Sequence, residues 1–431
     1  MNKVLLIIAL IGIPIVGISQ THTSYFTGNT NDLITSPTGG LCLMGGATEE
    51  DEAMKWFLER ADGGDVLVLR TSGSDGYNDY MYSGLGITLN SVETIVFNSA
   101  SAANDPYIHQ RIMEAEAIWF AGGDQWNYIS YWRNTPIDSL INDGLANRNI
   151  VIGGTSAGMA IMGSAYFSAE NGTVTSATAM ANPYNALVTV DNTPFLQNEY
   201  MTNLITDTHY DDPDRKGRHM VFLVRMSQGT GVIAKGIACD EYTAVCVDEN
   251  GLARVFGGHP TYDDNAYFLQ VNCEVFGTGA EQCQPGMPLT WNLGGEAAKV
   301  YQVKGNQTGS NTFDLTDWST GTGGIWRHWY IDNGVLFETS GSSPTCLVSQ
   351  KEEDSSGFVV YPNPGSTEIT IQFETIGTRR IELISMEGRV LIVDQSVEGN
   401  WSRSIENLAA GSYLVRVTQE SNTDISTWVK E

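Results

Sequence analysis

Basic residues are scarce in this chain of 431 residues. Lysine and arginine together number 23 against 50 aspartates and glutamates, a formal net charge of −27. Such an excess repels nucleic acid and anionic membrane surfaces, which bind proteins through cations. It suits a basic peptide partner, or solubility in a salty exterior. Histidine occurs only six times, never with zincin spacing, so metal-dependent hydrolysis of that type is not expected. None of the six cysteines falls in a Cys-x-x-Cys pair, which excludes zinc ribbons and thioredoxin-like redox motifs. Beyond residue 18 no apolar run is long enough to span a bilayer.

What is present begins with MNKVLLIIALIGIPIVGISQ. Lys3 precedes an apolar stretch, Pro14 argues against a spanning helix, and Gly17 and Ser19 suit cleavage before Gln20. Residues 1–19 therefore read as a signal peptide and the rest as an exported protein. In that setting Cys273 and Cys283, which flank a glycine-containing loop, could be bridged. Cys42, Cys239 and Cys246 sit in apolar strand-like runs and read as buried thiols.

The apolar runs GLCLMGG, GDVLVLR, VETIVFN, AIWFAGG and NIVIGG alternate with longer stretches of helical spacing. One of these, residues 49–61, puts Met54, Phe57, Leu58 and Ala61 on one face. The alternation implies an α/β fold with a doubly wound, mostly parallel sheet and its site at the strands' carboxyl ends. We place this domain at residues 37–340 and a polar linker at 348–357. Beyond it, from 358 to 431, alternating segments such as EITIQF and SYLVRV imply a small all-β sandwich.

Gly154-Thr155-Ser156-Ala157-Gly158 fits G-x-S-x-G between an apolar strand and a helix start. This turn exposes a serine at the top of a sheet, and the Ala157 amide points at the same space. A nucleophilic serine needs a base. His209 ends the apolar run NLITDTH, where the sheet would bring it to Ser156. His219, in a basic helix-like stretch, reads as solvent-facing, and His259 is held in reserve. For the orienting acid, Glu241 lies at a turn between two apolar strands, where an unpartnered charge is costly. Asp207 is its rival but reads as pointing at substrate, and Asp240 would face away from Glu241. If His259 were the base, Asp191 or Asp207 would restore the order of lipases and an esterase would fit.

GGTSAGMAIMG, with LMGGA, VLRTSGSDGYNDY, WFAGGDQ, DTHYDDPDRKGRH and GIACDEYTAV in the same order, resembles the cyanophycinase and aspartyl dipeptidase family of serine peptidases. The resemblance runs from about residue 39 to 258. It implies a flavodoxin-like domain akin to class I glutamine amidotransferases, with a triad of Ser156, His209 and Glu241. It further implies a second oxyanion amide from Gly123 and a substrate site lined by Gln125, Asp207, Thr208, Arg215 and Arg218. Arg215 and Arg218 match the last two arginines of the family's R-x-R-x-x-R clamp, whereas Pro213 stands where the first would be. That change weakens the expectation of a β-aspartyl-arginine substrate. No metal or organic cofactor is implied, and a homodimer is allowed. YPNP, MEGR and LAAGSYLVRV in the last 75 or so residues resemble the sorting domain of the Bacteroidetes type IX secretion system. That likeness implies the secretion machinery as a partner, with release or attachment at the cell surface.

Overall fold

Continuous apolar runs such as DVLVLR and AIWF have no polar face to turn to water, so they settle as strands covered on both sides. The computed structural model describes residues 20–230, 232–275 and 279–345. Towards the C-terminus it describes 358–361, 365–373, 377–385, 389–397, 399–419 and 422–430. The expected signal peptide and linker lie outside the described residues, as do most of YPNP and MEGR and Cys346. The chain divides into two units, Met1–Cys346 and Leu347–Glu431.

In chain order the first unit contains strands β1 (His22–Gly28), β2 (Gly40–Met44), β3 (Asp65–Arg70), β4 (Ser91–Phe97), β5 (Ala117–Phe120) and β6 (Val151–Thr155). Next come β7 (Leu204–Asp207), β8 (Lys235–Cys239), β9 (Ala244–Val247), β10 (Leu252–Phe256) and β11 (Asn265–Val271). The last are β12 (Ala298–Lys304), β13 (Asn311–Asp314), β14 (Gly321–Thr322), β15 (Gly324–Asp332) and β16 (Val335–Ser340). Its main helices are α1 (Asp51–Glu59), α2 (Pro106–Glu114), α3 (Gln125–Trp132), α4 (Pro136–Asp143), α5 (Ala157–Ala160) and α6 (Lys216–Ser227).

One sheet runs β1-β4-β3-β5-β6-β2-β9-β10-β13-β14, and β4, β3, β5, β6 and β2 are mutually parallel. This is the expected α/β layer. Its edges carry antiparallel additions, among them β1, which lies ahead of the start placed at residue 37. The second sheet, β16-β15-β12-β11-β8-β7, is antiparallel except for the β8–β7 pair. Thus residues 260–340 build most of this sheet and extend the first one.

Burial explains the layering. Helix α1 buries Ala53, Met54, Phe57 and Leu58 with Ala61 just beyond it, and its start is capped by Glu50, which accepts from the Ala53 amide at 2.7 Å. Each large side chain so buried contributes about 2 kcal/mol. On the other face of the first sheet, helices α2, α3 and α4 and the second sheet share a core that includes Ile118, Ile152, Trp132 and Phe268. Helix α6 covers the far face of the second sheet with Val221, Phe222 and Leu223 among Trp291 and Trp329.

Two expectations are overturned here. His219 does not face solvent, because the apolar face of α6 carries it inward, where burial pushes its imidazole down to about 4. Nor are Cys273 and Cys283 joined. Cys283 is a free thiol packed in the α6 core near Leu289 and Trp291, and Cys273 belongs to another disulfide.

The second unit, taken by itself, is all β. Three antiparallel strands, Phe358–Tyr361, Glu368–Phe373 and Asn400–Ser404, form one sheet. Four more, Val390–Ser396, Arg379–Ser385, Gly411–Gln419 and Asn422–Lys430, form another. Alternate residues such as Ile369, Ile371, Ile381, Leu383, Val415 and Val417 fill its core around Trp401 and Trp428.

Candidate active site

The chain leaves β6 and turns into α5 through a single residue, Ser156, whose φ is 52° and ψ −115°. A non-glycine residue so placed stores strain and needs its surroundings to hold it. The Ser156 amide donates to the Met44 carbonyl at 3.1 Å and its carbonyl accepts from Ala160 at 2.9 Å. Gly158 lies so close to β5 that a methyl group there would overlap the Phe120 carbonyl oxygen. Hence the motif's last glycine is required by packing.

His209 comes from the end of a strand in the other sheet, and Glu241 from a turn between the two sheets. His209 follows β7 with φ 47°, and its amide donates to the Gly45 carbonyl at 2.9 Å. The expectation that its strand shares the sheet of Ser156 is therefore not met. Gly46, the next residue along, lies against the imidazole, where any side chain would overlap the ring. Glu241 sits in the turn Asp240–Thr243, which carries the chain from β8 in one sheet to β9 in the other. Its amide donates to Asp211 Oδ1 at 3.0 Å, and the following Tyr242 amide donates to the Gly46 carbonyl at 3.1 Å.

The three side chains meet at the seam between the sheets. His209 Nε2 is 2.8 Å from Ser156 Oγ, and His209 Nδ1 is 2.5 Å from Glu241 Oε1. A carboxylate can only accept, so Nδ1–H donates to Glu241 and Nε2 is left to accept from the serine hydroxyl. His209 and Glu241 keep about a quarter of their side-chain surface exposed, enough for a ligand to reach them. His259, the reserve base, instead starts a turn in which its amide donates to the Gly305 carbonyl.

Ala157 is the first residue of α5, a position whose amide has no partner inside the helix. Gly122 flanks the Ser156 side chain, while Gly123 packs against the Tyr128 hydroxyl. Among the described residues neither glycine amide has a hydrogen-bond partner.

The residues expected to hold substrate divide into two groups. Asp207 and Arg218 do not face an open site. They form a two-bond ion pair, Nε to Oδ2 at 2.9 Å and Nη2 to Oδ1 at 2.5 Å, with each side chain 4% exposed. Burial alone would push the Asp207 carboxyl up, but the Arg218 guanidinium prevails and holds it below 3.8. Arg218 also donates to the Val174 carbonyl, and Asp207 accepts from the Thr208 amide, so the pair braces the segment ahead of His209. Arg215 is different. One Nη donates to the Thr208 carbonyl at 2.9 Å, while its buried Nε has no partner. Burial, followed by the nearby Arg218, lowers its pKa. The Gln125 side chain donates to the Phe167 carbonyl.

Sequence reasoning weighed Asp240 only as a group facing away from Glu241, and it passed over a cavity. Asp240 is buried against Asn265, and burial raises its carboxyl to about 7. A cavity of about 680 Å³ is lined by Glu49, Glu50, Asp51, Glu52 and Asp264 with Tyr242 and Tyr262. Its lining includes Tyr242, next in sequence to Glu241, and Thr48, two residues after Gly46. The acidic run EEDE was visible in the sequence, but its place opposite residues 242–264 depends on the β2–β9 pairing.

Residues 44–254 match Peptidase family S51, and residues 359–431 match the secretion system C-terminal sorting domain. The structure is similar to that of a peptidase from an acI-B1 Actinobacterium, at 15% identity and a TM-score of 0.41, covering 65% of this chain and 98% of that one. It is also similar to a putative peptidase E protein from Listeria monocytogenes EGD-e, at 14% identity and a TM-score of 0.33, covering 51% and 99%. A third likeness is to PorZ, a surface component of the type IX secretion system of Porphyromonas gingivalis, at 12% identity and a TM-score of 0.16, covering 43% and 30%. The chain carries a peptidase family S51 domain followed by a type IX sorting domain, and is a secreted or cell-surface peptidase.

Proposed function

We propose that the chain is a serine-type peptidase in which Ser156 is the nucleophile, His209 the base and Glu241 the acid that orients the base. The observation that carries this reading is the unbroken chain of contacts Ser156 Oγ, His209 Nε2, His209 Nδ1 and Glu241 Oε1 at 2.8 and 2.5 Å. Ser156 Oγ attacks the peptide carbonyl as His209 Nε2 takes its proton. Glu241 keeps Nδ1 protonated and stabilises the imidazolium that forms. The carbonyl oxygen becomes an oxyanion held by the Ala157 amide and by Gly122 or Gly123. His209 then returns the proton to the leaving amine, and water attacks the acyl-enzyme by the same route in reverse.

The acidic cavity and its two tyrosines favour a substrate with a cationic side chain near the scissile bond, held by carboxylates and by the faces of the rings. Arg215, with donors to spare and no ion-pair partner among the described residues, is suited to a substrate carboxylate. A polymer with β-linked aspartyl-arginine units offers both groups, as does an ordinary peptide containing arginine and aspartate. The test is to incubate the mature protein and its Ser156→Ala variant with β-aspartyl-arginine polymer and with α-linked peptides of the same composition. Ser156-dependent release from the polymer establishes the β-aspartyl specificity. Release from α-peptides alone keeps the serine peptidase and moves the specificity. Turnover of neither refutes the peptidase assignment of Ser156 and favours a binding protein on this scaffold.

A further inference from the structure

Three of the four free thiols in the first unit, Cys42, Cys239 and Cys246, are fully buried. Two of them face each other. In the β2–β9 ladder Cys42 is the register partner of Cys246, and their sulfurs lie 3.7 Å apart. The type of pair follows from the ladder. Gly45 donates to the Thr243 carbonyl at 2.9 Å, which marks 45 and 243 as a hydrogen-bonded pair. Counting back in steps of two, 43 with 245 and 41 with 247 are hydrogen-bonded pairs, so 42 with 246 is a non-hydrogen-bonded one. At such pairs the Cα atoms approach to about 4.5 Å and the side chains stand closest. That separation lies within the range a disulfide spans. Both sulfurs point to the same face of the sheet, under α1, where the Ala53 carbonyl lies 4.0 Å from Cys42 Sγ.

We propose that Cys42 and Cys246 are a modification site: in the exported protein they are joined as a cross-strand disulfide. The compartment favours it, because the sorting domain sends the chain out of the reducing cytoplasm, and Cys273 is already disulfide-bonded. The oxidant is a disulfide of the thiol–disulfide oxidoreductase or glutathione class. One cysteine thiolate attacks that disulfide and expels a thiolate. The other cysteine then attacks the mixed disulfide at the protein's sulfur and expels the second. In total the two protein thiols lose two protons and two electrons, and the oxidant is reduced to two thiols. Because both side chains are fully buried in the folded sheet, the exchange takes place before α1 closes over them.

The bond would close a loop between residues 204 apart in sequence, at the strand pair that supports the active site. Just past β2, the Gly45 and Gly46 carbonyls hold the His209 and Tyr242 amides, and β9 begins just after Glu241. The staple therefore fixes the two strand ends that set the spacing of base and acid. It does not depend on the peptidase mechanism being right.

The experiment uses the full mature chain, reduced and unfolded, then refolded in a mixture of reduced and oxidised glutathione. The product is unfolded in an alkylating agent without reductant and analysed by intact mass and peptide mapping. Four of the six cysteines are free thiols in the present structure. The proposal predicts two alkylated thiols, Cys239 and Cys283, and a linked peptide pair containing Cys42 and Cys246. Alkylation of four, with Cys42 and Cys246 among them, overturns it. The Cys246→Ala variant gives an independent reading on whatever fraction refolds. Its alkylated thiols number three, a rise of one over the parent if the bond exists and a fall of one if it does not.

Discussion

Replacing Arg218 with methionine keeps much of the side chain's length and deletes both bonds to Asp207, at 2.9 and 2.5 Å. Asp207 would then be a carboxylate at 4% exposure with only the Thr208 amide for a partner. Breaking a buried pair by removing one member costs about 3–5 kcal/mol, which corresponds to a fall of about 6–10 °C in Tm. The pH dependence fixes the cause. In the parent protein the Asp207 pKa lies below its unfolded value, so its contribution is present above pH ~3.9 and is lost as pH falls through the lower folded pKa. In Arg218→Met, burial loses its main opponent and the pKa rises. The variant then gains stability as the carboxyl protonates, and its deficit shrinks between pH 7 and pH 4. Thermal melts of both proteins across that range are the assay. A variant that melts like the parent at every pH but shows a raised KM would refute the bracing role and return Arg218 to the substrate site.

Glu241→Gln keeps the size of the side chain and a carbonyl that can accept from Nδ1, but removes the charge that stabilises the imidazolium. We expect kcat to fall by about 10²–10⁴-fold with little change in KM or Tm, measured by steady-state kinetics and melting; an unchanged kcat would remove Glu241 from the triad. Asp240 gives a stability prediction of opposite sign to Asp207. Its folded pKa of about 7 is raised by burial, so the stability it confers is complete below pH ~3.8 and declines as pH rises towards 7. Asp240→Asn should flatten that decline, worth up to about 4 kcal/mol, in urea titrations at pH 4, 5.5 and 7.5. Parallel curves for parent and variant would place the pH dependence elsewhere.

The parallel layer was legible because each of its strands is an apolar run that ends where a turn or helix begins. AIWF and NIVIGG have no alternative that buries them. The serine turn was equally local, since the glycine at 158 and the strand-to-helix change are read within ten residues. Even His209 and Glu241 could be nominated, being polar groups at the ends of apolar strands. The nature of the second sheet was not legible. KGIAC and AVCV are separated by only four residues and read as neighbours, yet β8 and β9 enter different sheets, because the Asp240–Thr243 turn steps across the seam.

The same limit misled the reading of Asp207 and Arg218. On a strand two residues before His209, a carboxylate looks available to substrate. Only α6, packed against the strand, shows that its charge is already neutralised by a side chain eleven positions on. Local spacing and composition thus determined the strand core, the serine elbow, the all-β character of the last segment and the candidacy of Ser156, His209 and Glu241, while the sorting domain was read from its resemblance to a known family. Tertiary structure alone decided which charges are buried in pairs, which glycine flanks Ser156, that the acidic run 49–52 shares a cavity with Tyr242 and Asp264, and that Cys42 faces Cys246. Each of these depends on register and on contacts between segments up to about 200 residues apart, and such contacts leave no periodic trace in the sequence.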